Sequence, residues 1–310
     1  MTRPCKIGVF LPIVEGQMDG ATPHWSDIAA MARRAEEIGL DSVWIPDHLI
    51  FRFTEETETT WECMSVLAAL AAATKRVEIG TLVICTGFRS PALLASMANT
   101  IDDISGGRLI LGLGAGYHEP EYRAFGFPYD HRASRFEEAL HIIATLLRER
   151  QIDYEGTYYS ARECGLRISG PRPQGPPIMV GTTGERMLRF TAKYADLWNR
   201  YLVFDNSNAT EIPPLRAKVD AACAEVGRDP ATLGRTASVL VDFINRPETP
   251  PIHNRPHANP TAITGTPEEM AAQLRAFADE GISHIQIWTS PRTAEGVERL
   301  APVLEALDRG

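Results

Sequence analysis

The sequence predicts a (β/α)8 TIM barrel with insertions, built as a single domain over residues 1–310. Three observations predict it. Eight short apolar runs alternate with helical stretches along the chain, the pattern of βα units wound around a parallel sheet. The length of 310 residues suits one such barrel with insertions. The second run, Ser42 to Ile45, leads through Pro46 into Asp47-His48. Strand C-terminal ends build the active site of such barrels, so an acid and an imidazole there are candidates for orienter and proton carrier.

The elements follow in order. Strand one is Ile7 to Leu11, stopped by Pro12. Trp25, Ile28, Ala29, Ala32, Ala35 and Ile38 recur at helical spacing, and Gly39 ends that helix. After strand two and an aromatic, acidic loop comes an alanine-rich helix from Trp61 to Thr74. Val77 to Ile84 reads as strand three. Ser90 and Pro91 read as cap and first residue of the next helix. Gly106-Gly107 turn into strand four, Arg108 to Leu113. A long loop reaches Asp130, and a helix covers Phe136 to Leu147. Residues 151–177, rich in Tyr, Gly and Pro, read as an insertion with a small hairpin. Strand five is Ile178 to Val180, followed by a helix from Gly184 to Tyr194. Strand six is Asp196 to Tyr201, and Leu215 to Val226 is helical. Strand seven is Ala237 to Phe243. Five prolines between 246 and 262 mark a mobile loop. Thr266 caps the next helix, His284 to Trp288 is strand eight, and Val297 to Leu307 closes the chain.

Composition excludes several functions. A formal net charge of −9 disfavours non-specific binding to nucleic acid or anionic membranes. The longest apolar stretch, Met64 to Ala73, is too short to span a bilayer. The first residues run at once into strand one and leave no room for a signal peptide, so a cytoplasmic protein is expected. Five scattered cysteines without CxxC spacing argue for reduced thiols rather than a disulfide frame or zinc site. His24, His253, His257 and His284 have no ligand spacing with carboxylates, so no metal is expected. GxSxG, P-loop and HExxH motifs are absent.

Two glycine motifs point to a ligand. Gly112-Leu113-Gly114-Ala115-Gly116 has Tyr117 where a dinucleotide fingerprint needs glycine. It reads instead as a strand end where Gly114 and Gly116 let a ligand approach closely. Gly181-Thr182-Thr183-Gly184 follows strand five and opens a helix. That end presents backbone N–H groups and two hydroxyls to an anion such as a phosphate. His118 reads equally as a pocket-lining group and as a solvated loop residue. Asp130 to Glu138 read mainly as a helix start with its salt bridges, and Arg132 is a lesser candidate for a cofactor's anionic group.

These residues resemble the luciferase-like monooxygenase superfamily, barrel oxidoreductases that use flavin or deazaflavin. The resemblance rests on Ile7-Gly8-Val9-Phe10-Leu11-Pro12, Ala35 to Trp44, Pro46-Asp47-His48, Ile79 to Val83, Gly106-Gly107-Arg108, Gly112 to Tyr117, Glu121 to Gly126 and Arg135 to Ala139. It implies that Asp47 and His48 lie beside the reactive face of the cofactor ring, with Asp47 orienting His48. It implies a non-proline cis peptide at Leu82-Val83 against the other face. The cofactor phosphate would sit at Gly181 to Gly184, with Gly114, Gly116, Tyr117 and His118 lining the site. Many relatives carry tryptophan where Tyr117 stands. The cofactor implied is coenzyme F420, with FMN the alternative. The first means hydride transfer with a small organic substrate. The second means a monooxygenase supplied with reduced flavin by a partner reductase. A non-catalytic flavin-binding barrel is a third reading. The apolar helices at 63–73 and from Pro91, like the resemblance, imply a homodimer.

Overall fold

The computed structural model describes residues 3–309 except 54, 169 and 245–259. Eight parallel strands close on themselves. They are β1 (Lys6–Phe10), β2 (Ser42–Ile45), β3 (Glu78–Thr81), β4 (Leu109–Gly114), β5 (Ile178–Gly181), β6 (Leu197–Tyr201), β7 (Gly234–Asp242) and β8 (His284–Ser290). Each pairs with its sequence neighbours, and β8 pairs with β1 to complete the barrel. Their residues are almost all buried, as expected where helices cover one face and side chains fill the other.

The interior is a packed plug. Phe10, Trp44, Leu82, Ile110, Met179, Val203, Leu240 and Trp288 form one buried cluster inside the barrel. Beside them lies a buried polar network. Asn199 Nδ2 donates to Thr236 Oγ1 at 2.8 Å and to Gln286 Oε1 at 2.9 Å. Trp44 Nε1 donates to Ser42 Oγ, which lies 2.7 Å from His284 Nε2. A larger cluster fills the space between barrel and helices.

Local signals explain several helix starts. Thr266 and Glu269 form a reciprocal capping box ahead of the helix Pro267–Asp279. Pro91 opens the helix Pro91–Ser105 as expected, but the Ser90 side chain makes no cap bond. The hairpin expected in the insertion is present, Gln151–Glu155 against Ser160–Gly165.

Three expectations are corrected. Strand three does not run unbroken to Ile84. It stops at Thr81, the Leu82–Val83 peptide is cis, and a short segment Ile84–Cys85 resumes beside the end of β4. The segment read as a loop before Asp130 contains the helix Glu119–Phe125, opened by Pro120 and closed by left-handed Gly126. The closing helix is split into Ala294–Glu298 and Ala301–Arg309. Pro302 has no N–H to give the carbonyl of Glu298, so one continuous helix cannot form there. The mobile loop expected at 246–262 lies, up to residue 259, outside the described residues. No described helix is long and apolar enough to cross a membrane.

Candidate active site

A cavity of about 530 Å³ opens at the C-terminal mouth of the barrel. That is the size of a small-molecule or cofactor site. His48, Leu82, Val83, Gly114, Gly116, Tyr117, Gly181, Thr182 and Thr183 line it, as does the end of Asp47. These sequence-predicted residues are therefore brought together from β2, β3, β4 and β5.

The imidazole of His48 is held from one side. Its Nδ1 lies 2.8 Å from Glu121 Oε1. Glu121 is only 1% exposed, and its other oxygen accepts the Leu49 N–H at 2.6 Å. An ionised carboxylate accepts and does not donate, so Nδ1 carries the hydrogen and Nε2 is the nitrogen left for exchange. Phe51 packs on the ring at 4.2 Å between centroids, and Tyr117 meets it edge-on at 5.6 Å. The His48 carbonyl accepts from the Thr60 hydroxyl, which ties down the following loop.

Asp47 does not orient His48. Its carboxylate is fully buried and receives both ends of the Arg89 guanidinium, at 2.6 and 2.9 Å, and the Cys85 N–H at 2.9 Å. Arg89 also donates to Glu62 at 2.6 Å. The bidentate pair fixes the start of the segment after the cis peptide rather than the imidazole. Burial alone would lower the Arg89 pKa, but Asp47 and Glu62 outweigh it and raise the pKa above the ordinary value.

Three further site predictions shift. His118 is not on the cavity wall. It is buried, its Nε2 accepts the Arg52 N–H at 3.0 Å, and its ring packs on Phe53 at 4.6 Å. Gly184 also stands off the wall, as the cap of the helix Glu185–Tyr194. Arg132 does not reach toward that helix start. It donates to the Gly116 carbonyl at 2.6 Å and stacks over Tyr129 at 4.4 Å.

Protein neighbours by themselves require the glycines at 112 and 116. A Cβ on Gly112 would lie 1.9 Å from the Thr81 carbonyl oxygen. Gly116 has φ +69, and a Cβ there would lie 2.1 Å from the Tyr122 hydroxyl. That hydroxyl donates to the Ala115 carbonyl at 2.9 Å and lies 2.9 Å from Cys85 Sγ. Burial pushes the Cys85 thiol up to about 12, so this wall residue stays a neutral thiol.

Glu121 and Arg89 were not among the sequence candidates. Proline at 120, just after a capping position and beside two acids, marks a helix start and could have revealed the helix carrying Glu121. Nothing local pairs residues 73 apart.

The remaining lining sets Phe88, Met187, Tyr201, Phe204 and Trp288 beside the polar Asn199 and Arg200. Phe10 and Trp288 lie 4.6 Å apart, and Tyr201 meets both edge-on at 6.4 Å. Among the described residues no group of three or more His, Cys, Asp or Glu side chains is placed to hold a metal.

A closed parallel barrel with an imidazole–carboxylate pair at the strand ends, over an apolar cavity facing a helix N-terminus, has the layout of a barrel oxidoreductase. The chain belongs to the luciferase-like monooxygenase family, whose model matches residues 5–248. Phthiodiolone/phenolphthiodiolone dimycocerosates ketoreductase of Mycobacterium tuberculosis is 30% identical over 250 residues, which is 74% of this chain and 63% of that protein. The chain thus spans less than two thirds of that relative's length. Pyrimidine monooxygenase RutA of Cronobacter turicensis is 27% identical over 92% of this chain and 78% of its own. Among solved structures, an F420-dependent secondary alcohol dehydrogenase in complex with an F420-acetone adduct superposes with a TM-score of 0.78 at 19% identity. The match covers 98% of this chain and 99% of that one. At that identity the likeness establishes the fold.

Proposed function

We propose that the protein is an oxidoreductase that binds coenzyme F420 at the barrel mouth and transfers hydride to or from a small organic substrate. The His48–Glu121 pair on the cavity wall carries this reading. The residues present suit such a group. Leu82 and Val83 offer an apolar wall for a flat ring, and Gly181, Thr182 and Thr183 offer donors at a helix start for a phosphate. A Cβ at Gly181 would meet only Val83 Cγ1, at 3.5 Å. When bound, the deazaflavin supplies hydride chemistry.

The chain's own part is positional and protonic. Glu121 holds the His48 ring in one tautomer, so Nε2 gives or takes the proton that accompanies hydride transfer. Asp47 and Arg89 hold the segment that forms the ring wall. Phe51, Tyr117 and Phe204 add aromatic surface to the cavity lining. The reading is supported by F420-dependent proteins among both the sequence relatives and the structural neighbours.

FMN is the competing cofactor, supported by the flavin-type relatives and neighbours. It would make the protein a monooxygenase served by a flavin reductase. Titration of the purified protein with each cofactor, followed by fluorescence, decides. Tighter binding of coenzyme F420 is expected, and tighter binding of FMN would reverse the assignment. We further propose a cytoplasmic homodimer, with a second copy covering the outer face of the helices Cys63–Ala73 and Pro91–Ser105. Leu93 and Ile104 on the latter are 56% and 47% exposed.

A further inference from the structure

Arg292 stands just beyond β8, after the Ser290–Pro291 bond. Its guanidinium lies over the Trp288 ring, 4.9 Å from the centroid. Trp288 is itself a wall of the cavity. Arg292 is only partly exposed, and burial lowers its pKa to about 10, against the pull of Tyr201, Asp19 and Glu58. Among the described residues, none of those acids comes within ion-pair distance of it, and stacking on Trp288 is its one direct partner.

That situation is unlike the other sheltered arginines of the molecule. Arg3, Arg89, Arg148, Arg172 and Arg235 each close on a carboxylate, and Arg108, Arg132, Arg150 and Arg228 each donate to backbone carbonyls. A cation drawn out of water without a counter-charge is costly, and folds keep such groups where a partner arrives. Stacking on an indole steadies the guanidinium and leaves its edge N–H groups to donate in the plane. Those donors match a carboxylate or phosphate two at a time. Beside the Trp288 ring on which Arg292 stacks, the cavity is lined by Tyr201 and Phe204, so this side suits an apolar or aromatic body.

We infer that Arg292 is the substrate's anion anchor, and that the substrate is an organic anion, a carboxylate or phosphate ester with an apolar body laid against Trp288 and Tyr201. The inference rests on the reading of this cavity as the active site. It adds the class of molecule that enters it. The anchor lies just past the end of β8, across β1 from the β2 end that carries His48, so it would hold the substrate by its unreactive end while the other end faces the imidazole.

The test uses the full chain saturated with its cofactor, and three probes of one shape: benzoate, phenyl phosphate and uncharged benzamide. Binding is measured by calorimetry. At least one of the two anions is expected to bind ten or more times tighter than benzamide, and which one does so tells carboxylate from phosphate. Arg292→Met should remove that advantage and leave benzamide affinity unchanged, and Arg292→Lys should restore part of it. Thermal melting of each variant checks the fold. Equal binding of anion and amide to the unaltered protein, failure of both anions to bind at millimolar concentration, or an advantage that survives Arg292→Met would each overturn the assignment. Cofactor affinity is read separately. If no cofactor binds, the cofactor reading fails, and the same probe comparison on the bare protein then supports or overturns the anchor alone.

Discussion

His48 Nδ1 and Glu121 Oε1 lie 2.8 Å apart, although the residues are 73 positions apart in the chain. The carboxylate is buried and its second oxygen is taken by the Leu49 N–H. The pair is therefore held by the fold, and one imidazole nitrogen is set aside for chemistry. His48→Ala should lower turnover roughly 10²–10⁴-fold, the usual loss for a general acid or base, with cofactor affinity retained. Glu121→Gln should lower turnover less and alter the pH profile, because an amide can still meet Nδ1 but does so without charge. Unchanged turnover in both variants would remove the pair from the mechanism.

The ion pair of Asp47 with Arg89 makes a different prediction. Both side chains are sheltered, at 0% and 10% exposure. Arg89→Met leaves a buried carboxylate without its cation, which typically costs about 3–5 kcal/mol. Asp47→Asn combined with Arg89→Met should regain part of that loss, since the uncompensated charge is gone. Urea unfolding of the two single variants and the double gives the coupling. A loss in Arg89→Met below about 1 kcal/mol, the scale of an exposed pair, would contradict the structural role.

These two pairs show what the sequence could and could not tell. The strands were legible because most carry a short apolar run, as parallel strands buried on both faces do, even though Asn199 and Gln286 interrupt two of them. His48 and the Gly181–Thr183 turn were legible because strand ends are where barrels place ligands. The break in strand three was not visible in its composition, since Leu82 to Ile84 stays apolar past it; only the resemblance implied the cis bond at Leu82–Val83. Glu121 was hidden because an acid in a stretch without hydrophobic period looks like solvent-facing loop. The Asp47–His48 adjacency misled for a related reason. Neighbours along an extended chain point apart, and each side chain found its partner on another element.

The two glycine motifs should respond differently to substitution. Gly112→Ala places a methyl on the Thr81 carbonyl oxygen, and backbone must move to admit it. Its thermal midpoint should fall by several degrees, or the variant should not accumulate. Gly181→Val meets no such wall, so it should fold and instead weaken cofactor binding at least tenfold. Normal cofactor affinity in folded Gly181→Val would place the phosphate elsewhere.

The exposed apolar residues on the outer helices predict the assembly. Light scattering at micromolar concentration should give twice the mass of 34.2 kDa. Leu93→Glu, on the face assigned to the second copy, should shift the protein toward monomer. A monomer mass for the unaltered chain would dismiss the dimer.

His284 yields the last prediction, for acid stability. It is buried beneath the site with its Nε2 on Ser42 Oγ, and burial lowers its pKa to about 3. The Ser42 hydroxyl already accepts from Trp44 Nε1, which leaves its own hydrogen to donate to a neutral imidazole. In the unfolded chain the same group takes up a proton at about 6.5. Between these values the unfolded state binds more protons than the folded one, so stability rises with pH there. The contribution is complete above about 6.5 and is lost as pH falls toward about 3. His284→Gln does not titrate and can still accept from Ser42. It should be less stable than the unaltered chain at pH 8, yet lose less stability between pH 7 and 5. Urea midpoints measured across that range check the sign. Parallel slopes for the two proteins would mean that the histidine is not held neutral by the fold.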